Sequence, residues 1–322
     1  MKNVSAALAF TLAAAGFAAT ASAQVTWKAI SFIPKNHPVM WGANAWVNDV
    51  NAALKAELQI NYVGGPEVVP RYQQTEAVRN KVVDVVFAAA ADYPDQIPAA
   101  ATFPLSKLSP MEERKSGYFD YMVEAHKKLN VQYLGRVHTG AFYLWVKREP
   151  KSLADLKGLK MRTGSLYDRF MQELGMVPVN VNAPETYTAL ESGLVDGFGW
   201  PAIGPRQQGW IKKANQVIDL PFFGASNVVI LASLERWQAL KPEAQKKLLE
   251  ITAAGEPKMV QHFTDVDNTE WAELTKAGVK RVKFSPAENK LYIDTAYAVE
   301  WKYLEAKLGK DELAKLRRMS GN

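Results

Sequence analysis

The sequence predicts an α/β fold built on parallel βαβ units, and three observations carry that prediction. Residues 156–201, LKGLKMRTGSLYDRFMQELGMVPVNVNAPETYTALESGLVDGFGWP, alternate short apolar strands with helical runs in the order β-α-β-α-β. Residues 82–88 read VVDVVFA, the pattern of a strand buried on both faces. The chain of 322 residues is 48% hydrophobic, enough for a large core or two domains.

Taken in order, residues 25–32 (VTWKAISF) form a strand that ends in the loop Ile33-Pro34-Lys35-Asn36-His37-Pro38. A helix over residues 39–57 and a strand over 58–63 follow. The turn GGPEVVP (64–70) leads to a helix over 71–81 and then to the apolar strand. Pro110, well suited to a first helical turn, opens a helix to residue 129. Strands follow at 131–138 and 142–147, and Ser152 starts a helical turn. In the central stretch a strand over 159–161 delivers Arg162. Ser165 caps a helix to residue 174, with Gly175 as its stop. A strand over 177–181, a helix over 185–192 and an apolar element over 195–201 complete the unit, whose crossovers should be right-handed. Further strands fall at 216–220, 227–232 and 279–284. A very long helix covers 243–276, softened at Gly255-Glu256-Pro257, and the tail from residue 287 is helical.

The first residues, MKNVSAALAFTLAAAGFAATASAQ, combine Lys2, an apolar run and the small-residue site Ala21-Ser22-Ala23. This pattern predicts a secretory signal over residues 1–23 and a mature chain from Gln24 in a periplasm. Cysteine is absent, which excludes disulfides, thiolate metal sites and a cysteine nucleophile. The net charge of +6, or +5 once Lys2 is removed, is dispersed, so it reads as solubility with mild steering of anions. No nucleic-acid motif and no cofactor motif is present.

Ligands of open α/β sheets sit beyond the carboxyl ends of the strands. Those ends here present Arg162 and Trp200. A permanent cation facing an aromatic wall suits a small carboxylate with an organic body. An arginine in a surface salt bridge and a core tryptophan is the competing reading.

The chain resembles the periplasmic solute-binding subunits of tripartite ATP-independent periplasmic (TRAP) transporters, the dicarboxylate-binding-protein family. The likeness covers nearly all of the mature chain. It rests on His37-Pro38, GGPEVVP (64–70), LADLKGLKMR (153–162) and ALESGLVDGFGWP (189–201), with LKGLKMR followed by VDG as the specific pairing. The resemblance implies a two-domain periplasmic binding protein fold with mixed sheets, hinge strands and a long helix spanning both domains. It implies domain I as residues 24–141 with 225–255, and domain II as 142–224 with 256–322. It also implies a monomeric receptor that closes on an organic anion and then docks on the membrane permease. The arginine at the position of Arg162 would clamp the ligand carboxylate.

Two departures bear on the ligand. Many family members carry asparagine where Trp200 stands, and acid-sugar binders carry a second arginine near the place held here by Phe142 and Tyr143. Both exchange polar donors for aromatic surface. The expected ligand is an aromatic or otherwise apolar, 2-hydroxy-type monocarboxylate, with a C4-dicarboxylate or a uronate as the alternative. Glu67 reads as a rim residue or a solvated turn carboxylate, His37 as a ligand donor or a loop former, and Trp41 as cleft lining or core. Arg136 is a candidate second cation, and Tyr143 belongs with Phe142 as a candidate contact. No metal site and no catalytic motif emerges. The four histidines are scattered, with no HExxH or GxSxG, so an exported enzyme is the weaker rival.

Overall fold

The computed structural model describes residues 24–224 and 228–322. The segment read as a signal peptide lies outside the described residues.

Two mixed sheets organise the chain. The first contains β1 (Val25–Ser31), β2 (Leu58–Gly64), β3 (Val85–Ala89) and β4 (Val131–Val137). The second contains β5 (Phe142–Val146), β6 (Lys160–Thr163), β7 (Val177–Asn180), β8 (Gly197–Pro201) and β9 (Gln216–Ile218). The chain then returns to the first sheet with β10 (Val228–Ser233), and to the second with β11 (Lys280–Val282). The strand orders are β2-β1-β3-β10-β4 and β11-β9-β5-β8-β6-β7. In the first sheet β1 runs parallel to β2 and β3, whereas β10 is antiparallel to β3 and β4. In the second, β6, β7 and β8 are parallel and β5 is antiparallel to β8. All five residues of β3 are buried, as its unbroken apolar run requires.

The helices cover the sheet faces: α1 (Trp41–Ala53), α2 (Gln74–Arg79), α3 (Pro110–Ser116), α4 (Tyr118–Lys127), α5 (Asp168–Glu173), α6 (Thr186–Glu191), α7 (Leu234–Gln238), α8 (Pro242–Lys276), α9 (Pro286–Leu308) and α10 (Lys310–Met319). The helix expected over 110–129 divides at Gly117, whose φ of 82° is left-handed and open to glycine without penalty. The helix expected from Ser165 begins only at Asp168, because Ser165 itself is left-handed at φ 70° and caps nothing. The tail divides at Gly309 into α9 and α10.

Helix α8 runs straight through Gly255-Glu256-Pro257 for 35 residues, roughly 50 Å. Tertiary contacts outweigh the local breakers. Trp46 Nε1 donates to Thr252 Oγ1 at 2.8 Å, and Arg114 donates to both oxygens of Glu256 at 2.8 and 2.6 Å. Those contacts lie on the first sheet's side. Farther along, Glu270 accepts from Arg206 at 2.8 and 2.9 Å, and Trp271 packs on Tyr143 and Trp145 of β5. One helix therefore spans both lobes. At the other side, α10 ties back to the first lobe: Ser116 Oγ donates to the Met319 carbonyl at 2.7 Å.

Candidate functional site

Strand β6 sits between β7 and β8, so Met161, Arg162 and Thr163 are buried, on both faces of the strand. Met161 goes into the second lobe's core and Arg162 turns toward the space between the lobes. Arg162 is 1% exposed. Its Nε donates to the Val181 carbonyl at 2.8 Å, and its Nη2 has no partner among the described residues. None of the described carboxylates forms an ion pair with it. Burial, with neighbouring Arg71 adding repulsion, pushes its pKa below the ordinary arginine value, and the Tyr167 hydroxyl beside it works the other way. The guanidinium lies over Trp200, 5.0 Å from the ring centroid.

Trp200 is placed by the antiparallel register that sets Tyr143 opposite Trp200 and Phe142 opposite Pro201. It meets Trp210 and His37 edge-on at 5.1 and 5.5 Å. His37 caps the turn into α1: its Nδ1 accepts from the Val39 amide at 3.3 Å, which puts the neutral ring's proton on Nε2. Burial, with Arg162 second, lowers the His37 pKa to about 4, so the ring is neutral at physiological pH. Neither His37 Nε2 nor Trp200 Nε1 has a partner among the described residues. Gly199 carries no side chain, and a Cβ there would lie 2.5 Å from Tyr167 Cζ. The close approach lets the Tyr167 hydroxyl donate to the Gly199 carbonyl at 2.5 Å.

The cavity beside Arg162 spans about 440 Å³ of space not filled by atoms, part of it open to solvent. It suits one small ligand. Phe32 and Thr139 line it from the first lobe, and Phe142, Tyr167 and Trp200 from the second. Thr139 is 2% exposed and its hydroxyl has no partner among the described residues. Arg162 Nη2 and Thr139 Oγ1, both without a partner among the described residues, thus belong to residues lining one largely apolar space. Buried polar groups are nearly always paired, and a ligand rich in oxygen atoms would satisfy these.

Sequence reasoning treated Arg71 only as the start of a helix. It lines the same cavity, buried, with Nε and Nη2 on the two oxygens of Asp92 at 2.8 and 2.7 Å. Nη2 also donates to the Gly164 carbonyl across the lobes at 3.0 Å. No local motif marks Arg71, because its partners lie 21 and 93 residues away.

Of the expected site residues, Arg162, Trp200 and Phe142 line the cavity and His37 stands behind Trp200. The others lie elsewhere. Trp41 is 37% exposed and stacks on His262 of α8, with ring centroids 3.6 Å apart. Arg136 is buried against Glu113 at 2.5 Å and is no free second cation. Tyr143 projects from the opposite face of β5 to Phe142 and packs on Trp271. Glu67 closes its own turn by accepting from the Gly65 amide at 2.7 Å.

Residues 30–306 match the family model described as bacterial extracellular solute-binding protein, family 7. The chain belongs to this family. A monocarboxylate 2-oxoacid-binding periplasmic protein of Nostoc is 25% identical over 270 residues, 81% of this chain and 74% of that one. A TRAP periplasmic solute-binding protein from Desulfovibrio salexigens, with bound orotic acid, superposes with a TM-score of 0.81 at 16% identity. That match covers 92% of this chain and 97% of that chain. A Bordetella pertussis extracytoplasmic solute receptor binding pyroglutamic acid gives the same TM-score and identity over 92% and 100%. The two-domain TRAP receptor fold is therefore shown, with two mixed sheets and the long helix across them. The family and fold are those of receptors that bind small organic acids and serve TRAP permeases. Among the described residues no helix is long and apolar enough to cross a membrane.

Proposed function

We propose that this chain is a periplasmic receptor that captures a small monocarboxylate between its lobes and passes it to a TRAP permease. The acid would carry an oxo or hydroxy group beside the carboxylate and an apolar or aromatic body. The observation that carries the reading is Arg162, a fully buried guanidinium with no carboxylate partner and an unpartnered Nη2 on an aromatic cavity. Its remaining donors fit one carboxylate, and Thr139 Oγ1 is a donor for the neighbouring oxygen. The second cation in the cavity, Arg71, is already neutralised by Asp92, so the site offers one net positive charge. This charge balance favours one carboxylate over two. The Nostoc relative's name, and the acids bound in the two structures, agree with a single carboxylate on a compact body.

The lobes are proposed as residues 24–141 with 225–255 and 142–224 with 256–322, working as a monomer after removal of residues 1–23. Closure would be driven by ligand contacts made only when the lobes meet, since a ligand shifts an equilibrium only by its differential affinity for the two states. Arg71 to Gly164 and Tyr72 to Asn180 at 2.8 Å are the polar ties that such closure would form.

A thermal-shift screen of the chain from Gln24 tests this reading. The panel sets pyruvate, phenylpyruvate, lactate, pyroglutamate and orotate against succinate, galacturonate and neutral sugars. A ligand at a hundred times its dissociation constant stabilises by about 2.7 kcal/mol, a shift of a few degrees. Shifts with monocarboxylates, weakened by Trp200→Ala, are expected. Shifts only with dicarboxylates or uronates would overturn the ligand class, and no shift with any acid would overturn the receptor reading.

A further inference from the structure

A second chamber lies between the lobes beside the Arg162 cavity, and Leu166 lines both. The second chamber is the roomier, about 580 Å³ of space not filled by atoms against about 440 Å³ in the first, both partly open to solvent. Its first-lobe wall includes Ala91, Ala100, Ala101 and Pro104, all apolar.

The loop between the chambers is pinned at nearly every residue. Thr163 Oγ1 donates to Asp168 at 2.5 Å and accepts from the Ser165 amide at 3.1 Å. Gly164 is held by Arg71, and Tyr167 by the Gly199 carbonyl. Ser165 is kept at φ 70°, a left-handed conformation that a non-glycine residue holds only when its surroundings impose it. Leu166 is the exception. Its side chain can form no hydrogen bond, so it can change rotamer without breaking one.

The one cation lining the second chamber is already matched. Arg169 donates through Nε to both oxygens of Glu300 at 3.0 Å, and Asp168 accepts from Thr163. Among the described residues lining it, no cation is left for a second carboxylate.

We infer that Leu166 is a partition that selects ligand size, and that the second chamber receives the uncharged, apolar tail of an acid whose carboxylate is held at Arg162. This deepens the monocarboxylate reading and rests on it. Short acids fill the first cavity with Leu166 in place. Longer ones displace Leu166 and lay their tails against Ala100 and Ala101.

The test is calorimetric titration of the chain from Gln24 with the straight-chain 2-oxo acids from pyruvate to 2-oxooctanoate, and with orotate. Three proteins are compared: wild type, Leu166→Ala and Ala101→Leu. Leu166→Ala should raise affinity for 2-oxooctanoate relative to pyruvate about tenfold, the worth of about two newly buried methylenes. Ala101→Leu, which fills the second chamber, should lower 2-oxooctanoate affinity about tenfold and spare pyruvate. The same chain-length profile in all three proteins would overturn the tail subsite and leave the receptor standing. Orotate binding without any 2-oxo acid binding would do the same. A wild type that binds none of these acids would overturn both readings.

Discussion

Two arginines, one in each sheet, are buried to nearly the same degree and do opposite things. Arg136 in β4 is 3% exposed and pairs with Glu113, itself 3% exposed, and its Nη2 reaches the Phe103 carbonyl. Arg162 in β6 is 1% exposed and has no carboxylate partner among the described residues, with the Val181 carbonyl on Nε and the neutral Tyr167 hydroxyl beside it. The difference lies in pairing, not in burial. Burying a cation costs several kcal/mol unless a counter-charge and hydrogen bonds offset it. The first lobe supplies that offset from its own helix α3, and the second leaves it to come from outside the chain. A buried charge that the protein completes belongs to the scaffold, and one that it leaves incomplete belongs to the ligand.

The sharpest way to break this comparison is to remove the second arginine and measure binding. Arg162→Met should lower affinity for the acid found by the thermal screen by about 3–6 kcal/mol, two charge-assisted hydrogen bonds at about 1.5–3 kcal/mol each. That is more than a hundredfold, readable by calorimetry. A loss below tenfold would place the carboxylate elsewhere in the cavity.

Stability should respond in the reverse order. Arg136→Met strands Glu113 as an unpaired buried acid and should cost about 3–5 kcal/mol in urea unfolding without ligand. Arg162→Met gives up one hydrogen bond and relieves an uncompensated charge, so it should cost no more than about 1 kcal/mol. Equal costs would mean that Arg162 supports the fold as Arg136 does.

Arg71 stands between the two, in the cavity but paired. Asp92→Asn would release it and raise the cleft's charge by one. The preference for succinate over a monocarboxylate of similar size should then rise about tenfold, on the order of 1.4 kcal/mol. An unchanged preference, in a variant shown to be folded, would mean that charge balance does not set the ligand class.

These cases also mark what the sequence could and could not show. Arg162 and Trp200 were legible because strand ends of a parallel βαβ unit face the ligand, and both sit at such ends within one continuous stretch. The long helix was legible from its periodicity, but its persistence through Pro257 was not. That depends on Trp46 and Arg114, more than a hundred residues upstream. Arg136 read as a candidate second cation, since nothing near it in sequence names Glu113, 23 residues away on a helix. Arg71, Thr139 and the second chamber were hidden for the same reason. Each owes its role to the meeting of elements that only the two-lobe arrangement brings together.

The smallest effect tests whether lack of a partner alone is the signal. Asp267 of α8 lies beneath the crossing from β4 to β5, where a Cβ on Gly140 would approach its Oδ2 to 3.2 Å, and its Oδ1 has no partner. Burial, and then Glu270, raise its pKa to about 6. The folded state therefore binds this proton more tightly than the unfolded chain does. Stability should rise as pH falls from about 6 to about 4, and the charge should cost stability above that window. Asp267→Asn should stabilise by about 1 kcal/mol at pH 7, after allowing for solvent screening, and the gain should vanish near pH 4. His37 works in the opposite sense: with its pKa lowered to about 4, stability is lost as pH falls from 6.5 toward 4. The decisive reading is ligand affinity in the same Asp267→Asn variant. Asp267 is unpaired like Arg162 but does not line the cavity, so affinity should stay within about twofold. A larger change would mean that the crossing and the cleft are coupled, and that incomplete pairing marks the moving parts of this receptor as well as its ligand.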